Sequence, residues 1–198
     1  MKILLPVVFL CCVARPARAQ APAAFPLDKA TRRISYAAVV PVAGASQADL
    51  QARAQAWANG IAPADQPPLV ASEQGTEVVT ASGAQPFVYT YDLTQTIGGY
   101  PRHRTTKLVL HYTAKLSLRE GRYRYVVTDF IMEYPLAKPP SPARLPAEAV
   151  LIEARPLNED GSSSLTAERK AFAEAAAKLQ AQLKEKMNMT VNASEAKQ

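Results

Sequence analysis

Residues 107 to 134 constrain the fold more than any other stretch of the chain. Leu108, Leu110, Tyr112, Ala114, Leu116 and Leu118 recur at every second position, while Lys107, His111, Thr113, Lys115, Ser117 and Arg119 fill positions between them. A β-strand points alternate side chains to opposite faces, so this pattern requires an antiparallel sheet with one covered and one wet face. Glu120-Gly121 follows, then a second run from Arg122 to Tyr134. A two-residue turn at Glu120-Gly121 sets Arg119 opposite Arg122, and Leu118, Leu116, Ala114 and Leu110 opposite Tyr123, Tyr125, Val127 and Ile131. A three-residue loop with Gly121 left-handed and a bulge shifts the pairing by one and sets Leu116 beside Arg124. Apolar matching favours the first register. It makes Tyr123 and Tyr125 core residues and leaves Arg122 and Arg124 on the solvent face, so the run of arginines and tyrosines is a hairpin rather than a nucleic-acid surface.

Other periodicities place the remaining elements. Ile34 to Val42 is β-branched and aromatic, with Pro41 near its end, and reads as a first strand. Ser46-Gln47-Ala48-Asp49 offers an N-cap and an acidic residue three positions later, and Leu50, Ala54, Trp57 and Ile61 then form one helical face ended by Gly60 and Pro63. One or two weaker strand segments lie between Leu69 and Thr80, and Phe87, Tyr89, Tyr91 and Leu93 alternate with polar neighbours in a further strand. Val150-Leu151-Ile152 reads as a short edge strand. A last helix runs from about Thr166 to Met187 with Phe172, Ala176, Leu179, Leu183 and Met187 as its apolar stripe. The elements give an α+β fold of β-α-β-β-β-β order, an antiparallel sheet covered on one face by the Leu50/Trp57 helix, plus a long C-terminal helix.

Proline-rich borders divide the chain. Residues 1–19 have one Lys, an apolar run from Ile3 to Val13 and Ala17-Arg18-Ala19, the pattern of a secretory signal peptide and too short to span a bilayer. Residues 20–30 read as a flexible leader, 31–135 as the α+β domain, 136–164 as a Pro-rich linker, 165–188 as the C-terminal helix and 189–198 as a disordered tail. Cleavage after Ala19 removes Lys2, Arg15 and Arg18 and lowers the net charge from +6 to +3. It also removes Cys11 and Cys12, so the mature chain would hold no disulfide and no thiol nucleophile. An exported chain of such mild charge does not meet nucleic acid in its normal work.

The order of strand, Ser-x-x-Asp-Leu helix with Arg53 and Trp57, further strands and Glu120-Gly121-Arg122-Tyr123-Arg124-Tyr125 before Thr128-Asp129 resembles the bacterial domain of unknown function family 4468. The resemblance covers roughly Ile34 to Tyr134. It implies a TATA-binding-protein-like (TBP-like) fold, a helix packed on a curved antiparallel sheet, and an exported setting. It implies no activity and no catalytic residues.

Residue chemistry adds little to that. No H-E-x-x-H, G-x-S-x-G or phosphate-cradling glycine loop occurs, and His103 and His111 are the two histidines. The alternative hairpin register would set His111 opposite Asp129 as a base with its orienter, without a nucleophile in any foreseeable place. In the favoured register Asp129 faces Tyr112, a buried carboxylate bonded to a phenol. The expected contact residues are Tyr100, Arg102, His103 and Arg104, on a loop beginning at Gly98-Gly99 between two long strands. No catalytic residue, metal ligand or cofactor is expected. The expected role is a non-catalytic binding or accessory module of the bacterial envelope, its partner a protein or envelope polymer. The alternative is an envelope enzyme using the His111/Asp129 pair.

Overall fold

A computed structural model describes residues 25–73, 75–97, 100–134, 143–153 and 159–189, with side chains left undescribed at 73, 94–97, 100, 101, 143 and 159–163. The expected signal peptide, residues 20–24 of the leader, Gly98-Gly99, the linker stretches 135–142 and 154–158, and tail residues 190–198 lie outside the described residues. The elements are β1 (Tyr36–Pro41), α1 (Gln47–Ile61), β2 (Leu69–Glu73), β3 (Thr76–Ile97), β4 (Tyr100–Arg119), β5 (Arg122–Tyr134), β6 (Ala143–Pro146), a π-helical turn (Ala149–Glu153) and α2 (Glu159–Asn188). The strands form one antiparallel sheet of six, in the order β1-β5-β4-β3-β2 with β6 also on β5.

The β4–β5 hairpin takes the two-residue register. Arg119 faces Arg122, Leu118 faces Tyr123, Leu116 faces Tyr125 and Ala114 faces Val127. Gly121 stands at φ 69°, a left-handed conformation that glycine adopts without a Cβ clash. Its N–H donates to the Ala45 carbonyl at 2.9 Å and its own carbonyl accepts from Val42 N–H at 2.8 Å, which ties the turn to the β1–α1 connection.

Beyond Thr128 the expected pairing fails. The register shifts between His111 and Thr113, so Leu110 faces Met132 rather than Ile131. Asp129 has φ 55°, and an extra residue at such a bulge exchanges the two faces of the strand beyond it. Phe130 and Met132 therefore enter the core, and Ile131 is left 38% exposed. Asp129 does not meet Tyr112: its carboxylate pairs with Arg33. The bulge also marks where β5 changes neighbours, from β1 along Arg122–Val127 to β6 along Ile131–Tyr134. Ile34 fills the gap, its carbonyl accepting from the Thr128 hydroxyl at 3.1 Å and its N–H donating to Glu148 at 2.6 Å.

Two helices, rather than α1 alone, cover the apolar face. α1 begins at a capping box, Ser46 Oγ accepting from Asp49 N–H at 3.1 Å while Asp49 accepts from Ser46 N–H at 3.3 Å. It buries Leu50, Ala54, Trp57 and Ala58. α2 starts at Glu159, earlier than the expected boundary near Thr166, and buries Phe172, Ala176, Leu179, Leu183 and Met187. Phe172 packs edge-on against Phe130 and Phe25 with ring centres 5.2 and 5.3 Å apart. Gln85 donates to the Ala175 carbonyl at 3.2 Å and Tyr125 to Gln180 at 3.0 Å. Arg53 of α1 donates to the Met187 carbonyl at 2.9 Å, placing a cation at the end of α2 where the helix dipole favours it.

Smaller corrections follow from the same packing. The expected strand at Val150–Ile152 lies in the π-helical turn, and the strand on β5 is Ala143–Pro146 instead. Phe25 and Leu27 belong to the packed core rather than to a flexible leader. Across β3 and β4, Gly83 sits directly opposite Tyr112, whose ring occupies the space a Cβ would need, 2.6 Å from it. Among the described residues no helix is long and apolar enough to cross a membrane.

Candidate functional site

Strand alternation decides which of the expected contact residues can act together. Tyr100 to Arg104 are not on a loop: the backbone is strand, with Arg104 facing Tyr91, His103 facing Asp92 and Arg102 facing Leu93. Regular pairing from there to Leu118 puts Arg102 and Arg104 on the helix-bearing side and His103 on the uncovered side. All three are exposed. The His103 ring nitrogen bonds to the Asp92 carboxylate at 2.5 Å. The side chain of Tyr100 lies outside the described residues.

The proposed catalytic pair does not exist. His111 Nε2 meets Glu133 Oε2 at 2.8 Å, and Asp129 is engaged by Arg33. The bulge after Thr128 moves Asp129 out of line with His111 and turns Glu133 to the outer face of β5. Arg144 of β6 donates to the same Glu133 oxygen at 2.7 Å. The hydrogen bond from His111, followed by that from Arg144, holds the Glu133 carboxyl below its usual value. This triad fastens β6 to β5, with both carboxylate partners already in place. Among the described residues, no three His, Cys, Asp or Glu side chains gather as a metal site.

The uncovered face has a different concentration of charge at the opposite end of β4. Arg119, Arg122 and Arg124 surround a groove of about 830 Å³ floored by Val39, Val78 and Ser117. The three guanidiniums are exposed, and none of the groove's lining residues is acidic. Arg119 donates through Nε to Thr76 Oγ1 at 3.0 Å, which holds it over the groove. Arg122 and Arg124 have no hydrogen-bond or carboxylate partner among the described residues. Roughly 50 Å of extended strand separates Arg119 from Arg104, so the two basic clusters are separate surfaces.

The elements explain the groove. Arg119 and Arg122 flank the two-residue turn and stand directly opposite each other, and Arg124 is the next outward position on β5, opposite Val39 of β1 and Ser117 of β4. Like charges directly across a ladder repel, so the sheet carries an unfavourable pair here, and among the described residues no carboxylate pairs with either arginine. The alternating pattern placed these arginines on the wet face. What it lacked was β1, whose pairing with β5 brings Val39 beside them and makes a flat row into a groove.

No family profile matches the sequence, and no curated protein matches it. Two solved structures do. A TBP-like protein from Parabacteroides distasonis aligns with a TM-score of 0.51 at 17% identity, covering 84% of this chain and 98% of that one. A DUF4468 family protein from Bacteroides ovatus aligns with a TM-score of 0.54 at 12% identity, covering 82% of this chain and 91% of that one. At these identities the likeness is one of fold, and it is the expected one: an α+β, TBP-like architecture built on an antiparallel sheet.

Proposed function

We propose that the chain is an exported, non-catalytic binding or accessory module that holds an anionic partner on the uncovered face of its sheet. The observation that carries the reading is the Arg119, Arg122 and Arg124 groove, three exposed cations with no carboxylate among its lining residues. Arginine suits this task because its planar fork meets carboxylate or phosphate in a bidentate fashion. The signal-peptide pattern of residues 1–19 supports an envelope setting, and the partner is then a protein or an envelope polymer. Arg102, His103 and Arg104, with Tyr100, form the second candidate surface. Their division between two faces, and the engagement of His103 by Asp92, leave them less suited to grip one ligand.

Fluorescence anisotropy with labelled polyglutamate tests the reading. The chain should bind at low salt and release the probe as ionic strength shortens the Debye length below about 8 Å. Changing Arg122 and Arg124 together to Gln should weaken binding by at least about tenfold. Equal binding by that variant would remove the groove as the site.

A further inference from the structure

Resting on that reading, we infer that the partner is an extended peptide which adds a strand to the free edge of β1, with acidic residues at alternate positions facing the arginine groove. Four observations converge on β1. It is an end strand of the sheet order, and among the described residues no strand pairs with its outer edge along Tyr36–Pro41; the leader residues Pro26 to Asp28 hydrogen-bond to that edge only before it, at Arg33 and Ser35. Its sequence, Tyr-Ala-Ala-Val-Val-Pro, has no charged residue of the kind that commonly blocks edge pairing; Pro41 stands only at its end. Its inward side chains, Tyr36, Ala38 and Val40, pack on the core yet remain half-buried. Its outward Val39 is 59% exposed and lies in the groove beside Arg124.

These features define the occupant's chemistry. A strand laid on β1 presents alternate side chains to the two faces of the sheet. Apolar residues on the inner face would complete the cover over Tyr36, Ala38 and Val40. Acidic residues on the outer face would reach toward Arg124 and Arg122. The added strand would lie two strand spacings from β5, about 10 Å, a span that an extended Arg and a Glu cover between them, with Val39 as the floor. Main-chain hydrogen bonds then supply affinity and the charged face supplies specificity and orientation. A second copy of this chain fits less well, because pairing two β1 edges would bring two basic rows together.

The test uses soluble peptides of about eight residues, matched in length to the six of β1. One alternates Glu with Val, a second has the same composition scrambled, and a third is the first with alternate backbone nitrogens methylated. The alternating peptide should bind the chain at least about tenfold more tightly than either of the others, and the Arg122→Gln/Arg124→Gln variant should lose that preference. Circular dichroism should show the variant folded, as both residues are exposed. Equal binding of alternating and methylated peptides would overturn strand addition while leaving an anion-binding face intact. Failure of polyglutamate and all three peptides to bind would remove both readings. A chain dimer that the alternating peptide cannot displace would overturn the proposal in favour of a second copy.

Discussion

Glu168 of α2 is 5% exposed and accepts a hydrogen bond from the Tyr134 hydroxyl at 2.6 Å. Burial raises its carboxyl above the ordinary 4.5, against the opposing pull of hydrogen bonds from Tyr134 and Tyr89. The folded chain therefore binds this proton more tightly than the unfolded chain does. That contribution is complete below about pH 4.5 and is lost as the pH rises through the higher folded value. Glu168→Gln should flatten the decline in stability above pH 4.5, as denaturant melts at several pH values would read; an unchanged slope would remove Glu168 as its source. Gly83 makes a second expectation at this scale. A Cβ there would stand 2.6 Å from the Tyr112 ring, so Gly83→Ala should cost about 1–3 kcal/mol in chemical denaturation. Neither residue was legible in the sequence. The partners that give them meaning, Tyr134 and Tyr112, lie on other elements.

At the scale of elements, α2 is part of the core. Leu179 and Leu183 are 2% and 0% exposed within the same cluster as Trp57 and Phe130. Leu179→Ala should cost about 2–5 kcal/mol in one cooperative transition, whereas a helix that melts separately would contradict this placement. The bulge is testable in the same way. Asp129→Val puts a β-branched residue at φ 55°, and should cost about 1–2 kcal/mol more than Asp129→Gly, which fits that backbone. Helix stripes, the capping box and the hairpin register were legible because they depend on neighbours in sequence. The bulge was not: it lies where Arg33 and Ile34 bond to Asp129 and Thr128 of β5 while Glu148 holds Ile34, at the point where β5 changes its neighbour from β1 to β6, a coincidence of distant segments. The same shift dissolved the expected His111/Asp129 pair and gave His111 to Glu133.

Across the whole molecule, both helices lie on one side of the sheet, and among the described residues no helix covers its other side. That asymmetry followed from the alternation in β4, which separates Leu108–Leu118 from Lys107–Arg119. The location of the site did not follow, because a strand pattern shows the face of a side chain but not which strand lies beside it. β1 supplies Val39 and the free edge from a segment about 80 residues away from the hairpin it joins. The most direct measurement is a map of backbone amide NMR shifts during titration of the isotopically labelled chain with the alternating Glu-Val peptide. Shifts should concentrate at Ala37 to Val40 and at Arg119, Arg122 and Arg124. Shifts confined to Arg102–Arg104, or to the exposed side of α2, would contradict binding on the uncovered face.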